Sequence, residues 1–529
     1  MPANPNTNRY SLRFYLLIAF VEGGAVMVCE LLGAKMVAPF YGTSMFVWSS
    51  VIGVTLAALA VGYFTGGFLA DRFPGNSLLY TVLSGAAVFI GLMPLIAEFI
   101  MEVTMPLGVR MGSLLSSLAF LLPPLTFLGT TSPILIRLAA KDIQHTGRVS
   151  GGLYAISTAG GIFTTFFLGF YAIPEWGLTL PTFITATILA LFPAVYFIRN
   201  KPRIFILMIV ATLTIVSLQY LMHRWESVDS SVKVLYKSEG LLGQVIVGRY
   251  QNSPQDSSAQ RDILWMNRHP QTFVNVQTGY SLWPYVHVVS CISSMKPVGA
   301  RALILGLGGG SIADEYLRLG FEVDACELDA RIAHAAQSFF HLSPKCNIVV
   351  DDGRHYIRTV NKKYDLIALD VFTGESIPSH ILTVGSFKDL RRILTDDGLI
   401  IINFNGFISG IPGLGSRSVI RTLSSSGFDV KFLATPGTEA NRNLIILASP
   451  GKLDFSGLKV ERFNACCPPV VHVPVPLPLS FANDIDLQDA VTLVDDKPIM
   501  DVLNAYADEK GRLVSMSEFN WAFKGVEIF

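Results

Sequence analysis

Residues 305–329 read "LGLGGGSIADEYLRLGFEVDACELD". An apolar run beginning at Arg301 ends in Gly306, Gly308, Gly309 and Gly310, an amphipathic segment follows, and a second apolar run ends in Glu327 and Asp329. A glycine-rich turn between a strand and a helix lets backbone approach a ligand closely and adopt dihedrals that a side chain forbids. An acid about 20 residues further on, at the next strand end, is placed to hold a ribose diol with two hydrogen bonds. The stretch predicts the strand–turn–helix–strand start of a nucleotide-binding α/β sheet.

Toward the C-terminus the pattern repeats. "RIAHAAQSFF" reads as a helix and "CNIVVDDG" as a third strand, ending in Asp351, Asp352 and Gly353. "YDLIALDVF" is a fourth strand ending in Asp370, "SFKDLRRIL" a helix, and "GLIIINFNG" a fifth strand. "FDVKFLAT" and "NLIILAS" predict a closing hairpin. Continuous apolar strands alternating with helices imply a parallel sheet covered on both faces, whose ligands bind beyond the carboxyl ends of the strands. Those ends carry the polar residues. Each acid also has a plain structural reading, as a helix cap or turn former. A dinucleotide keeps its pyrophosphate on a helix N-terminus and needs no carboxylates at strands three and four. Acids there suit a cationic, phosphate-free nucleoside, a sulfonium of the S-adenosylmethionine type. Asp352 would face the adenine amino group and Asp370 the reacting end.

Upstream of this sheet, from Val232 to about Arg268, the chain favours strands, with "LLGQVIVGRY" and "DILWMN" separated by the polar loop "QNSPQDSSAQ". The expected division is a membrane domain at 1–225, a small β-rich subdomain at 232–299, a Rossmann-like domain at 300–450 and a C-terminal extension at 451–529.

The N-terminal half differs in kind. The chain is 51% hydrophobic and 15% charged, against about 25% charged in a soluble domain. The excess lies between residues 14 and 222. About 20 apolar residues cross a bilayer, and about seven runs qualify, at roughly 14–38, 45–70, 78–101, 112–138, 150–173, 178–198 and 204–222. The first lacks a cleavage-site pattern and reads as a span rather than a signal peptide. Glycines in "VGYFTGGFLA" and "STAGGIF" fit close helix packing. Glu22, Glu30 and Lys35 lie in or near the first span, where an ionisable group is paired or functional. Arg9, Arg13, Arg72, Arg137, Lys141, Arg148, Arg199, Lys201 and Arg203 mark the cytoplasmic loops, with only Lys35, Arg110 and Arg224 opposite. Seven spans then put the soluble half outside the cytoplasm. A re-entrant reading of "FLLPPLTFLGTTSPILIRL", with Pro123, Pro124 and Pro133, would reverse that parity.

Lys+Arg and Asp+Glu balance at 40 each, with no basic stripe, so nucleic acid is not an expected partner. The six cysteines show no metal-ligand spacing, and the vicinal pair Cys466 and Cys467 reads as chance, so no metal is expected.

At "GLGGGS", "CELD", "DDG" and "LDVFTG" the chain resembles the polyamine aminopropyltransferases, the spermidine synthase family. It looks most like variants fused behind a multi-pass membrane domain, which "CELLGAKMVAPFYGTS", "GYFTGGFLADR" and the tail segment "VTLVDDKP" also resemble. The similarity covers about 235–405. It implies a small β-domain before a methyltransferase-like Rossmann domain, and transfer of an aminopropyl group from decarboxylated S-adenosylmethionine to an amine. The adenosyl compound would be a co-substrate, with no tightly bound cofactor.

Residue by residue, the resemblance makes Glu327 the ribose acid, Asp352 the adenine-side acid, Asp370 the catalytic base, Tyr285 its support and Gln271 a further donor-side residue. Gly306, Gly308, Asp351 and Gly353 complete the nucleoside-binding set. The chain departs from the family at Gly309, where an Asp holds the donor amine, and at Thr373 in the fourth-strand motif. Ser281, Leu282, Val286 and His287 replace the residues around the family's tyrosine, including its acids. The nucleoside side is therefore closer to the family than the polyamine side.

The expected function is a membrane-anchored, spermidine-synthase-like transferase acting on a small amine or polyamine in contact with the lipid bilayer. A homo-oligomer is compatible with the sequence. Two alternatives stay open. One is an S-adenosylmethionine-dependent methyltransferase. The other is a non-catalytic membrane transporter or sensor with a nucleoside- or polyamine-binding domain, which Glu22, Glu30 and Lys35 favour.

Overall fold

The computed structural model describes residues 12–42, 44–73, 75–140, 146–202, 232–250, 260–371, 378–456, 485–497 and 499–522. They form two compact units, one built from the N-terminal helices and the other from both β-sheets.

Among the described residues of the first unit, six helices are long and apolar enough to cross a membrane. They are α1 (Leu12–Tyr41), α2 (Met45–Arg72), α3 (Asn76–Thr104), α4 (Gly108–Ala139), α5 (Thr146–Phe167) and α6 (Thr179–Asn200). They match the first six apolar runs of the sequence, and the seventh, 204–222, lies outside the described residues. The 32 residues of α4 continue through Pro123, Pro124 and Pro133. At about 1.5 Å per residue, α4 is one long helix rather than a re-entrant loop.

The glycines act by close approach. A Cβ on Gly62 of α2 would lie 2.5 Å from the Thr126 carbonyl oxygen of α4. One on Gly160 of α5 would lie 2.0 Å from the Phe20 carbonyl oxygen of α1. Of the charged groups, Glu22 is buried and accepts a hydrogen bond from Ser157 Oγ of α5 at 3.0 Å. The Lys35 ammonium lies 5.8 Å from the ring centre of Trp48 on α2.

In the second unit, β1 (Val232–Gly240), β2 (Gly243–Tyr250), β3 (Arg261–Met266) and β4 (His269–Asn275) form a four-stranded sheet in chain order. The β3–β4 turn places Asn267 and Arg268 at positive φ, as a two-residue hairpin requires. Helix α7 (Pro284–Ser293) leads to the larger sheet.

That sheet contains β5 (Arg301–Leu305), β6 (Glu322–Glu327), β7 (Asn347–Val350), β8 (Tyr364–Leu369), β9 (Leu394–Asn405), β10 (Asp429–Ala434) and β11 (Asn443–Ser449). Its order is β10-β11-β9-β8-β5-β6-β7. Strands β5 to β9 are parallel, and β10 and β11 form the closing antiparallel hairpin. The apolar strands are buried on both faces: Ala302, Ile304, Leu366 and Ala368 face one core, Leu303, Leu305, Ile367 and Leu369 the other. Helices α8 (Ser311–Arg318), α9 (Ala330–Phe339), α10 (Gly353–Thr359), α11 (Val384–Ile393) and α12 (Leu414–Ser425) link the strands. The chain runs from β5 out to β6 and β7, then returns to β8 on the other side of β5. This creates a switch point, where open α/β sheets hold their ligands.

The tail is fastened to this sheet unit. Within "VTLVDDKP", the Leu493 carbonyl accepts from Val384 N at 3.0 Å and Asp495 accepts from Thr383 Oγ1 at 2.5 Å. The last described helix is α13 (Ala505–Ala522).

Candidate active site

The glycine turn is locked from three sides. Gly306 has φ +84°, and a Cβ there would lie 2.2 Å from the Asp370 carbonyl oxygen, so only glycine lets the ends of β5 and β8 come this close. From β6, Glu327 reaches under the turn. Its Oε2 accepts from Leu307 N at 2.8 Å and its Oε1 from Asp329 N at 2.9 Å. From β4, Thr272 Oγ1 accepts from Gly309 N at 2.7 Å, and a Cβ on Gly308 would lie 3.6 Å from the Gln271 carbonyl oxygen. Gln271, Gly306, Gly308, Glu327 and Asp370 thus meet around one turn. Burial raises the Glu327 carboxyl above its ordinary value, and the backbone amides offset part of that rise.

The end of β7 lies alongside, with Asp351 N donating to the Glu327 carbonyl at 3.0 Å. Asp351 Oδ1 accepts from Asp352 N at 2.8 Å, and its Oδ2 lies 2.6 Å from His355 Nδ1. Asp352 caps α10, its Oδ1 accepting from Arg354 N at 2.8 Å and His355 N at 3.0 Å. The capping reading of this residue is therefore realised. Its Oδ2, 3.5 Å from His380 Nε2, makes neither capping bond and faces a partly open surface. Gly353 follows as the first residue of α10. Asp329 is the N-cap of α9 and clamps Arg331, a structural role.

Asp370 forms the reactive-looking feature. Tyr285, just inside α7, donates to Asp370 Oδ2 at 2.9 Å, and Asn403 Nδ2 of β9 donates to Oδ1 at 2.8 Å. Asn403 is oriented in turn by Asn443 Nδ2, which donates to its oxygen at 3.0 Å. Burial raises the Asp370 carboxyl, and the two hydrogen bonds pull it partly back. The Tyr285 phenol is pushed well above its ordinary value, first by burial and then by the Asp370 charge. Tyr285 therefore stays protonated and donates, while Asp370 is the group able to take a proton. Asn403 was not among the sequence candidates. "NFN" after an apolar strand signals a polar strand end, but nothing in the sequence says which neighbour it reaches.

The departures from the family have physical counterparts. A Cβ on Gly309 would lie 2.6 Å from Thr272 Cγ2 and 3.0 Å from Phe340 Cγ, so an acid at that position meets filled space. His287 is buried and its Nε2 lies 2.8 Å from the Ser281 carbonyl oxygen, which ties together two positions where the family carries acids. Thr373 lies outside the described residues.

Residues 285–408 match the Spermine/spermidine synthase domain. The C-terminal part of the chain carries a spermine/spermidine synthase domain. Over 128 residues the chain is 34% identical to a polyamine aminopropyltransferase of Vibrio vulnificus, a match covering 23% of this chain and 43% of that protein. Over 116 residues it is 34% identical to an N-terminal histidine N-methyltransferase of Emericella nidulans, covering 21% of each. The chain thus spans less than half the length of these curated relatives. Among solved structures, a probable spermidine synthase from Corynebacterium glutamicum aligns at 18% identity and a TM-score of 0.40, covering 51% of this chain and 97% of that one. Asp370, Glu327, Asp351, Asp352 and Gly353 all fall inside the matched synthase domain, with Tyr285 its first residue, whereas Gln271 and Thr272 precede it.

Proposed function

We propose that the chain is a membrane-anchored transferase that moves an aminopropyl group from decarboxylated S-adenosylmethionine to an amine acceptor. The observation that carries this reading is Asp370, held between Tyr285 and Asn403 beside the glycine turn. An acceptor ammonium must lose a proton before its nitrogen can attack, and a carboxylate within hydrogen-bond reach supplies the base. The Asp370 carboxylate takes that proton. The freed nitrogen attacks the propyl carbon attached to the sulfonium, the C–S bond breaks with its electrons going to sulfur, and a neutral thioether leaves. The proton then passes to water. Glu327, Asp351, Asp352, Gly353, Gln271, Gly306 and Gly308 would hold the nucleoside. The domain limits proposed are 1–225, 232–299, 300–450 and 451–529.

A second reading, methyl transfer from S-adenosylmethionine, is favoured by Gly309. The acid that would hold the donor amine is absent there, and its space is filled by Thr272 and Phe340. Product analysis with both donors and a panel of amines tests the two readings. Aminopropyl amines from the decarboxylated donor support the first, and methylated amines from the other donor support the second. No product from either leaves a binding module. For the membrane part we propose insertion through the six apolar helices together with 204–222, which the basic loops orient with the synthase domain outside the cytoplasm.

A further inference from the structure

The helical unit carries a polar site that the synthase domain does not use. Glu22 lies about 15 Å inside α1, at about 1.5 Å per residue, and is 3% exposed. Ser157 lies about as far inside α5, and its Oγ donates to Glu22 Oε2 at 3.0 Å. The Ser132 hydroxyl of α4 donates to the same carboxyl. Three helices thus converge on one acid. Glycine lets them meet: a Cβ on Gly23 would lie 2.6 Å from Ser157 Oγ, and one on Gly24 would lie 2.6 Å from Thr164 Oγ1. Thr164 stands seven residues after Ser157, on the same face of α5.

This acid has no counter-charge. Among the described residues no lysine, arginine or histidine pairs with Glu22. The titratable groups toward it from the packed helices are phenols, Tyr63 of α2 with Tyr154 of α5 beside it, and neither brings positive charge. On α1 itself the next acid is Glu30, half-buried and about two turns on. Lys35 lies further along α1, at Trp48. An ionisable group at membrane depth is costly, and is paired or functional. Packing alone does not call for an acid here, because a glutamine would accept from the same two hydroxyls with no charge to bury. What a carboxyl adds is the capacity to hold a small cation and release it.

We infer that Glu22, with Ser132 and Ser157, is a binding site for one exchangeable monovalent cation, a proton or a sodium ion. The two share their chemistry at this site. A proton makes one carboxyl oxygen a donor, and a serine hydroxyl turns to accept from it, since a hydroxyl both donates and accepts. A sodium ion, as a hard cation, takes the carboxylate and the hydroxyl lone pairs as oxygen ligands. Acids inside a bilayer that exchange such cations mark ion pathways and proton relays. The site therefore gives the helical unit a task beyond anchoring, cation uptake within the bundle. It does not depend on the transferase reading, because none of its residues belongs to the synthase domain.

The test treats the full-length protein in liposomes with dicyclohexylcarbodiimide, which adds to protonated carboxyls in apolar surroundings, and reads modification of Glu22 by peptide mass spectrometry. Modification is expected in mildly acid buffer and should fall about tenfold, relative to Glu30, in alkaline buffer. Protection by sodium chloride but not by choline chloride at constant pH identifies the cation as sodium, and protection by pH alone identifies it as the proton. Thermal unfolding in detergent is the second measurement. The wild-type Tm is expected to respond to the identified cation, and Glu22→Gln to lose that response. Ser157→Ala keeps the carboxyl and is expected to shift the pH or sodium concentration of half-protection, which decides the question if Glu22→Gln does not fold. Glu22 left unmodified in acid buffer, modification indifferent to both cations, or a wild-type Tm response in folded Glu22→Gln overturns the site.

Discussion

Replacing Glu327 by Gln tests whether the nucleoside turn is built as described. Both carboxylate oxygens accept backbone amides, from Leu307 at 2.8 Å and from Asp329 at 2.9 Å. Glutamine offers one oxygen and one NH2, so in either orientation a backbone N–H faces another donor. A hydrogen bond to a charged group contributes about 1.5–3 kcal/mol. The site is 7% exposed, so little water is present to take the place of the lost bond. Burial already raises this carboxyl, and a neutral side chain recovers part of that cost, which favours the lower end of the range. Because Leu307 lies inside the turn, the loss falls on the backbone that would face the nucleoside. The expected result is an affinity for the adenosyl ligand reduced about ten- to a hundredfold, at about 1.4 kcal/mol per decade. Isothermal calorimetry on the full-length protein measures it, with thermal unfolding as the control for folding. A folded Glu327→Gln protein with unchanged affinity would refute the assignment, because the turn would then stand without the acid and the ribose would be held elsewhere.

Asp370→Asn should abolish transfer while adenosyl binding persists, since shape is kept and the base removed; full turnover would sink the base assignment. The same substitution should raise Tm at neutral pH. A buried carboxyl whose folded value is raised stabilises fully below its unfolded value and loses that contribution as pH rises through the folded value. The Tm difference between Asp370→Asn and wild type should therefore shrink in acid, and a difference independent of pH would contradict the burial argument. Gly309→Asp should destabilise by about 1–3 kcal/mol through overpacking against Thr272 and Phe340, without restoring any donor preference; denaturant unfolding reads the first effect and donor competition the second. A C-terminal reporter active only outside the cytoplasm should light up, and activity of a cytoplasm-only reporter would overturn the seven-span count.

How much of this could be read from residues depends on the range of the interaction. The parallel strands were legible because burial on both faces demands unbroken apolar runs, as in "RALIL" and "YDLIAL". The strand-end acids were legible for the same reason, being the first polar residues after such runs. Their division of labour was not. Asp352 spends one oxygen capping α10 and Asp329 both oxygens on Arg331, and sequence alone cannot tell a cap from a ligand contact when one carboxylate can serve both. Asn403 and Thr272 escaped notice because they meet Asp370 and Gly309 from 33 and 37 residues away. Proline spacing in α4 suggested a break that the helix does not make. In membranes neighbouring helices can absorb the freed backbone groups, so proline is weaker punctuation there than in water.

Glu327 and Thr272 hold the glycine turn through hydrogen bonds to backbone, and Gly306 allows the close approach of the Asp370 carbonyl. Around Asp370 the contacts join side chains. Asp370, Asn403 and Asn443 form one chain, readily retuned by a single substitution. Backbone-held geometry suits the part of a ligand that stays constant, the adenosine, and exchangeable side chains suit the part that varies between acceptors. The sequence departs from the family pattern around Tyr285 and, within the turn, at Gly309, while Glu327, Asp351 and Asp352 are present. That pattern fits the proposed adenosyl chemistry with a changed acceptor, because Asp370 has both of its donors, Tyr285 and Asn403, in place.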